Sequence, residues 1–537
     1  MKEKWSLQAS IYSYFLVKST QFLAAGNRLG YITSNSWLDS AFGKPLKEYF
    51  LSQFKIIAVI ASSIERWFED ADINTAILIL ERLDDAREET LKSHEVKFVT
   101  LNAPIKNLLG TPPSGFDVTE MRSYWQNLDK LILEIETSKA AKHTKYDDKR
   151  LGFAINDDRM RVISVKQSEL MQNEKWGIFL RAPQVWFELV GSKRAWFTTM
   201  KEQSALYGLR RGFTTNANEL YYLPSKMWKL HKELENRREI LSQVRGILSL
   251  SKKDVKSLIK SPTQLEEYSV REDGLNTRIV YLRMGKDKIK DSELLRYIEW
   301  METEVAREYT TNNRFPSLTR KMFAPELKER MKGASDAKEE NKLKEIAKEF
   351  LEGKKVQTSD DWFILPPRES AQFLCIPGIN RRFAFFLNET GAVEDKRLYG
   401  LQVDTSTIPL YLYFAILNCT MTYMAVELWG RTELGLGALD VVVDDYQTMP
   451  ILDVEQMWKK LKKSTRLKKR LQDTVEKMKI MKVMPIGEEI EQETRRTLDE
   501  LILVNVLGLP KSKAEILRQE LEAIVQSRLS RAQTTGR

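Results

Sequence analysis

Residues 1–103 carry the pattern of an α/β fold, and three observations establish it. Residues 55–61 (Lys-Ile-Ile-Ala-Val-Ile-Ala) and 75–80 (Thr-Ala-Ile-Leu-Ile-Leu) are nearly unbroken, β-branched apolar runs. Such runs mark strands covered on both faces. Residues 29–33 form a third, shorter apolar run. Ahead of it, Ile11, Tyr14, Phe15, Phe22 and Leu23 fall at helical spacing, and Gly26-Asn27 supplies the stop. Residues 45–54 form an amphipathic helix, so the predicted order is helix, strand, helix, strand, strand. Three such strands bury too little area for a domain and leave an open edge. The sheet is therefore expected to be incomplete, its edge covered by something outside this segment.

The remaining elements follow in order. Residues 104–170 are polar and mixed, with a Pro-Pro-Ser-Gly loop at 112–115 and a helix near 124–135, and read as a linker or insertion. A second, α+β domain is placed at 171–453. Its aromatic-rich start runs over 176–222, residues 227–248 are predicted helical, and 324–356 form an exposed, charged helical insertion. Short strands broken by Pro and Gly occupy 362–387. The apolar stretch 411–428 is a buried helix, and 434–443 is a Gly-punctuated strand. Residues 454–537 form a helical tail that opens with a basic helix holding eight Lys or Arg between Lys459 and Arg470. No solenoid repeat is present.

Composition narrows the function. The chain has 537 residues, a formal net charge of +10 and a pI of about 9.1. A basic balance favours a polyanionic partner, since neutralised phosphates release counterions. Cys375 and Cys419 are the two cysteines and form no CxxC pair, which argues against a disulfide framework or zinc knuckle. His94, His143 and His231 are scattered, so no metal site is expected. No apolar signal core or run of ~20 uncharged residues occurs. A soluble, cytoplasmic protein is expected.

Ile11-Tyr-Ser-Tyr-Phe15, followed by Gly30-Tyr-Ile-Thr-Ser-Asn-Ser-Trp37, resembles the segment after the catalytic box in gamma-type adenine-N6 DNA methyltransferases of restriction-modification systems. Trp67-Phe-Glu-Asp-Ala-Asp-Ile-Asn-Thr-Ala-Ile77 is similar to that family's later aromatic motif. The match covers about 80 residues in order. It implies that 1–103 is the C-terminal half of an S-adenosylmethionine-dependent, class I methyltransferase domain, carrying strands five to seven. It also implies that Phe68, with Trp67, packs against an extruded adenine; the alternative is a pair of core aromatics. Phe15 and Asn35 match positions near the cofactor, with a core role and a strand-ending turn as their alternatives.

The departures from the family are as informative. No glycine-rich cofactor loop, acidic ribose ligand or Asn-Pro-Pro-Tyr box is found, and Asn102-Ala-Pro104 is not that box. No catalytic residue is assigned, and S-adenosylmethionine is expected only in complex with the missing half, on a separate chain carrying methyltransferase motifs I and IV. Further on, Gly208-Leu-Arg-Arg-Gly-Phe-Thr-Thr-Asn-Ala-Asn218 looks like the opening of the family's target-recognition domain. Gly430-Arg-Thr-Glu-Leu-Gly-Leu-Gly-Ala-Leu439 resembles its close. The resemblance implies double-stranded DNA contacts from Arg210, Arg211, Thr214, Thr215, Asn216, Asn218 and Arg431. The alternatives are a surface hairpin and glycines serving backbone packing. Lys459, Lys462 and Lys463 read as a clamp on the DNA backbone, or as a solvated face.

Taken together, the expected function is the DNA-reading part of a split or truncated adenine-N6 methyltransferase of restriction-modification or phage-defence type. The competing expectation is a DNA-binding specificity subunit, or a relic, without catalysis. The metal constellation of a nuclease is not found.

Overall fold

Seven strands form one mixed sheet in the computed structural model, which describes residues 9–68, 73–83, 91, 93–111, 118–171, 174–224, 228–242, 246–332, 338–432 and 437–533. They are β1 (Arg28–Ser34), β2 (Phe54–Ser62), β3 (Thr75–Arg82), β4 (Glu95–Leu101), β5 (Lys142–Tyr146), β6 (Lys149–Asn156) and β7 (Met160–Lys166). The order across the sheet is β1-β3-β2-β4-β7-β6-β5. β2 and β4 run parallel, pairing Val59 with Phe98 and Ile60 with Val99. Every other neighbour is antiparallel.

The three expected strands are present, but they are not the whole sheet. β4 covers the side of β2 away from β3, and residues 142–166, expected as linker, add a meander beyond it. These strands alternate rather than running continuously apolar, and lysines and arginines interrupt them. The β6–β7 turn is closed by Asp157, whose Oδ1 accepts from the amides of Arg159 at 2.9 Å and Met160 at 2.8 Å. β1 stays at the edge, with no outer partner among the described residues.

Alternation in β4 explains how both sheet faces are covered. Phe98 packs on Phe179, with ring centroids 4.8 Å apart, and on Trp176 at 6.3 Å. Trp176 in turn meets Trp37 at 5.9 Å. Thr100, on the same face, donates to Leu180 O at 2.7 Å. Val99 and Leu101 point the other way, into a cluster with Ile135 of the helix Val118–Thr137. Gly191 lets the helix Gln184–Ser192 approach the Lys145 carbonyl so closely that a Cβ there would overlap it.

The first helix, Ile11–Thr20, forms as expected but is turned the other way. Ser13, Leu16 and Thr20 face inward, while Ile11 is 71% exposed, Phe15 59% and Phe22, just beyond the helix, 81%. Tyr12 Oη lies 2.7 Å from Ser36 Oγ, and Thr20 Oγ1 2.8 Å from Tyr49 Oη, which fixes this orientation.

The chain divides into two units that differ from the expected boundaries. One holds residues 1–208, 376–385 and 403–537; the other holds 209–375 and 386–402. The stretches 171–208 and 403–453 therefore belong with the seven-stranded sheet, as does the helical tail. In the second unit, Lys229–Glu233, Arg237–Ser242 and Gly246–Ser251 form a three-stranded antiparallel sheet where a helix was expected over 227–248. Ile240, Leu248 and Leu250 are buried in the core that also holds Tyr297 and Trp300. Tertiary burial there outweighs the helical composition. The charged segment is helical, but Glu339–Leu351 buries Leu343, Ile346 and Ala347 and so is not simply an exposed insertion.

In the first unit the apolar stretch is two buried helices, Leu410–Leu417 and Thr420–Trp429. The expected strand at 434–443 is seen as Leu439–Asp440, with 433–436 outside the described residues, as is the loop at 112–115. The basic helix is two, Val454–Leu461 and Thr465–Lys479, divided where Ser464 caps the second.

A buried polar network ties the tail to Thr420–Trp429. Asp499 accepts from Thr420 N at 2.9 Å and Thr420 Oγ1 at 2.6 Å. Arg495 holds Asp499 at 3.0 Å and Glu489 at 3.2 Å, and all three charged side chains are essentially inaccessible. Deleting one member of such a group strands the others. Asp499→Ala is expected to lower unfolding stability by about 3–5 kcal/mol, read by urea denaturation. A loss under about 1 kcal/mol would place the pair among weak surface contacts.

Candidate functional site

The sheet sets the geometry of the first candidate region. β1, β2 and β4 end at Ser34, Ser62 and Leu101, and the residues just beyond them gather at one edge. Asn35 opens a 3₁₀ turn there, its amide donating to Asn74 O at 3.0 Å. With Ser62, Ser63, Thr100 and Asn102 it lines a cavity of about 210 Å³ that the helix Lys511–Gln533 helps to close. Phe15 lies on the exposed side of its helix.

Trp67 and Phe68 follow β2 and part company. Trp67 packs on the Val99, Leu101, Ile135, Met160 and Val162 cluster, the position of a core aromatic. Phe68 is 42% exposed.

A larger cavity, of about 450 Å³, lies in the same unit and was not visible in the sequence. Asp39, Lys47, Lys175, Arg431 and Asp445 line it together with aromatic residues. Its charges are mutually engaged. Lys175 Nζ sits 2.6 Å from Asp445 Oδ1, and Arg431 Nε lies 3.4 Å from Asp445 Oδ2. Asp39 is held by Arg181 at 2.7 Å. Lys47 donates to Leu38 O at 2.6 Å and Glu174 O at 2.5 Å. Burial pushes its amine down to about 8, against the pull of Asp39. Arg431 forms a two-way backbone bridge with Asp440, and its side chain, partly exposed in the cavity, lies within ion-pair distance of Asp445.

The predicted recognition motif lies in the second unit. Arg210 is committed elsewhere: its Nε is 3.5 Å from Glu394 Oε1, and Arg368 Nε is 3.3 Å from the same oxygen. Glu394 is fully buried, and burial lifts its carboxyl above the usual range while Arg368 and Arg210 oppose the rise. Arg211, Thr214 and Asn216 are exposed. Thr215 is buried, receives the Ala217 amide at 3.1 Å and donates to Asn218 Oδ1 at 2.6 Å. Asn216 sits at φ 58°, the left-handed region that Asn tolerates. The motif is thus a tight polar turn that leads into the short helix Asn218–Tyr221.

Lys459 on the first basic helix, Lys462 and Lys463 in the turn that follows it, and Arg466, Lys469 and Arg470 on the second are exposed. None of the eight cations from Lys459 to Arg470 forms an ion pair among the described residues. Lys460 instead lies over the Trp196 ring at 5.4 Å. Among the described residues no group of His, Cys, Asp and Glu could hold a metal ion, and no helix is long and apolar enough to cross a membrane.

Residues 1–68 match the Eco57I restriction-modification methylase family. This N-terminal segment is restriction-modification methylase-like. No curated protein matches the chain. Among solved structures, the type IIG restriction endonuclease BpuSI is similar at 14% identity and a TM-score of 0.43, over 98% of this chain and 50% of that one. The type IIL restriction-modification enzyme MmeI, solved in complex with DNA, is similar at 10% identity and a TM-score of 0.41, over 96% and 53%. A structure from a type I restriction-modification system shares 22% identity over 23% of this chain and 25% of that one, at a TM-score of 0.16. The chain spans about half the length of the first and second of these.

The Arg210 geometry separates two neighbouring arginines. Arg210→Ala removes one of two partners of a buried carboxylate and is expected to cost about 3 kcal/mol, the low end for a buried pair because Arg368 remains. Arg211→Ala should leave stability within about 0.5 kcal/mol. Paired urea melts of the two variants check this, and equal losses would reject the assignment.

Proposed function

We propose that this chain is the DNA-reading portion of a site-specific adenine-N6 DNA methyltransferase of a restriction-modification or phage-defence system. The observation that carries the reading is the family match over residues 1–68, which ends at the exposed Phe68. The sheet is consistent with it: β1 lies at an edge, and an apolar stripe of Ile11, Phe15 and Phe22 is exposed beside it. A strand from a complementary half would extend the sheet at β1, and that half would cover the stripe.

The 537 residues contain no glycine-rich cofactor loop and no Asn-Pro-Pro-Tyr box. In this reading both come from a companion segment outside them, which holds S-adenosylmethionine and the adenine amino group. The target base is turned out of the duplex so that its amino nitrogen can be reached. Phe68 packs on that base, a contact worth roughly 1–3 kcal/mol. Asn35 lies at the same edge of the sheet, toward the cofactor. Arg211, Thr214 and Asn216 are the exposed members of the recognition turn and would meet base edges or phosphates. The unpaired cations at 459–470 hold the DNA backbone without reading sequence.

The purified chain alone is expected to transfer no tritiated methyl group from S-adenosylmethionine to DNA. Supplying a segment with the cofactor loop and the Asn-Pro-Pro-aromatic box should restore transfer. Robust activity of the chain by itself would refute the reading.

The basic helices give a second test. Replacing Lys462, Lys463, Arg466 and Lys469 with Ala should flatten the dependence of log K on log salt by about 0.9 for each phosphate no longer neutralised. Fluorescence anisotropy with a duplex measures the slope, and an unchanged value would remove these residues from the interface.

A further inference from the structure

The recognition turn of the second unit packs on a fixed ring that carries two cations. Phe213 of the turn meets Tyr281, with ring centroids 6.3 Å apart. Tyr281 follows the strand Arg278–Val280, is fully buried, and donates its hydroxyl to Pro366 O at 2.8 Å. Lys256, on the neighbouring strand Val255–Ile259, stands opposite Ile279 in the antiparallel register, so its side chain reaches Tyr281 along the diagonal. Lys256 Nζ lies 4.8 Å from the ring centroid, and the guanidinium carbon of Arg283 lies 5.7 Å from it. Arg283 is exposed and Lys256 half-buried.

Neither cation is spent. Among the described residues neither side chain has a hydrogen-bond acceptor, and no carboxylate lies within ion-pair distance of either. The acids of the region are engaged elsewhere. Glu394 is held by Arg210 at 3.5 Å and Arg368 at 3.3 Å. Those two guanidiniums also donate to the Glu369 and Arg211 carbonyls, so they are not counted with Lys256 and Arg283. Asp254 interacts with Asp291, Arg237 and Lys253. Burial first, and then Arg283, push the Lys256 amine below its ordinary range, and no carboxylate opposes them.

We infer that Lys256 and Arg283 hold the phosphodiester backbone of duplex DNA beside the recognition turn. This rests on the DNA-reading function proposed above, and it adds to that function two residues outside the turn. Two like charges over one ring repel each other. Attraction to the face of the ring positions them without neutralising them, and a phosphate supplies the anion that is missing. Because Tyr281 is itself fixed through Pro366, the cations stand in place before DNA arrives, which lowers the ordering cost of binding. Lysine meets phosphate as a point charge, so the contact sets the position of the duplex and carries no sequence information. The competing role, in which the two stems serve only to cover the ring, makes a different prediction.

Binding of the full chain to two duplexes of unrelated sequence is followed by fluorescence anisotropy over a salt series, beside urea melts of each variant. Lys256→Gln and Arg283→Gln should each lower the slope of log K against log salt by about 0.9, and together by about 1.8. The loss should be equal on both duplexes, with the urea midpoint unchanged. Arg283→Lys keeps the charge and should keep the slope. An unchanged slope in the double variant overturns the proposal, and a lowered urea midpoint beside that unchanged slope assigns the two side chains to covering the ring. A loss confined to one duplex also overturns it, since that is the mark of a base contact. Absence of salt-dependent binding by the unaltered chain defeats the DNA-reading function together with this inference, whereas a chain that binds and whose variants keep the full slope defeats this inference alone.

Discussion

The parallel pairing of β2 with β4 is the constraint on which the first unit depends. It joins an N-terminal three-strand group, β1-β3-β2, to the meander β4-β7-β6-β5. Because side chains alternate, the register Val59↔Phe98 decides which residues of β4 meet which layer. In this register Phe98 reaches Phe179 and Trp176, while Val99 and Leu101 reach Ile135. A slip of one residue would send Phe98 to the helix Val118–Thr137 and leave the aromatic layer without its centre.

The same pairing places the ends of β1, β2 and β4 beside one another, and so creates the edge where Asn35, Ser62 and Asn102 converge. The tail supplies the other wall. It is held there by ties such as Ser527 Oγ donating to Ser63 O at 2.6 Å, and by the Arg495–Asp499–Thr420 network beneath Thr420–Trp429. The helices at the end of the chain are therefore part of the unit that contains the sheet, not an appendage of a recognition domain.

Charge is distributed in two distinct ways. Around the larger cavity Lys47, Lys175, Arg194 and Arg431 each have a carboxylate or carbonyl partner. In the second unit Arg210 is spent on Glu394 in the same manner. The basic helices at 459–470 depart from this balance, since none of their cations forms an ion pair among the described residues, and an imbalance of that kind is where a polyanion gains most. Counting Arg and Lys along the chain does not separate the two arrangements, since the acids that decide the matter lie far away in sequence.

Local pattern was enough for β1, β2, β3, the two helices before β2, the short strands Phe373–Cys375, Gly378–Ile379 and Phe386–Leu387, and the buried stretch at 411–428, because each signals itself through the periodicity or continuity of its apolar residues. It was enough as well for the methylase-like character of the first 68 residues, carried by motifs that are contiguous in the chain. It failed for β4 to β7, whose alternating lysines and arginines look like solvent-exposed sequence until a neighbouring strand covers one face, and for the strands Lys229–Glu233, Arg237–Ser242 and Gly246–Ser251, where a helix-like composition yields to a buried sheet. It failed also for the direction in which Phe15 points and for the surroundings of Arg210 and Arg431. Those depend on partners such as Ser36, Glu394 and Asp445, at separations no local window spans, and only folding brings them within reach.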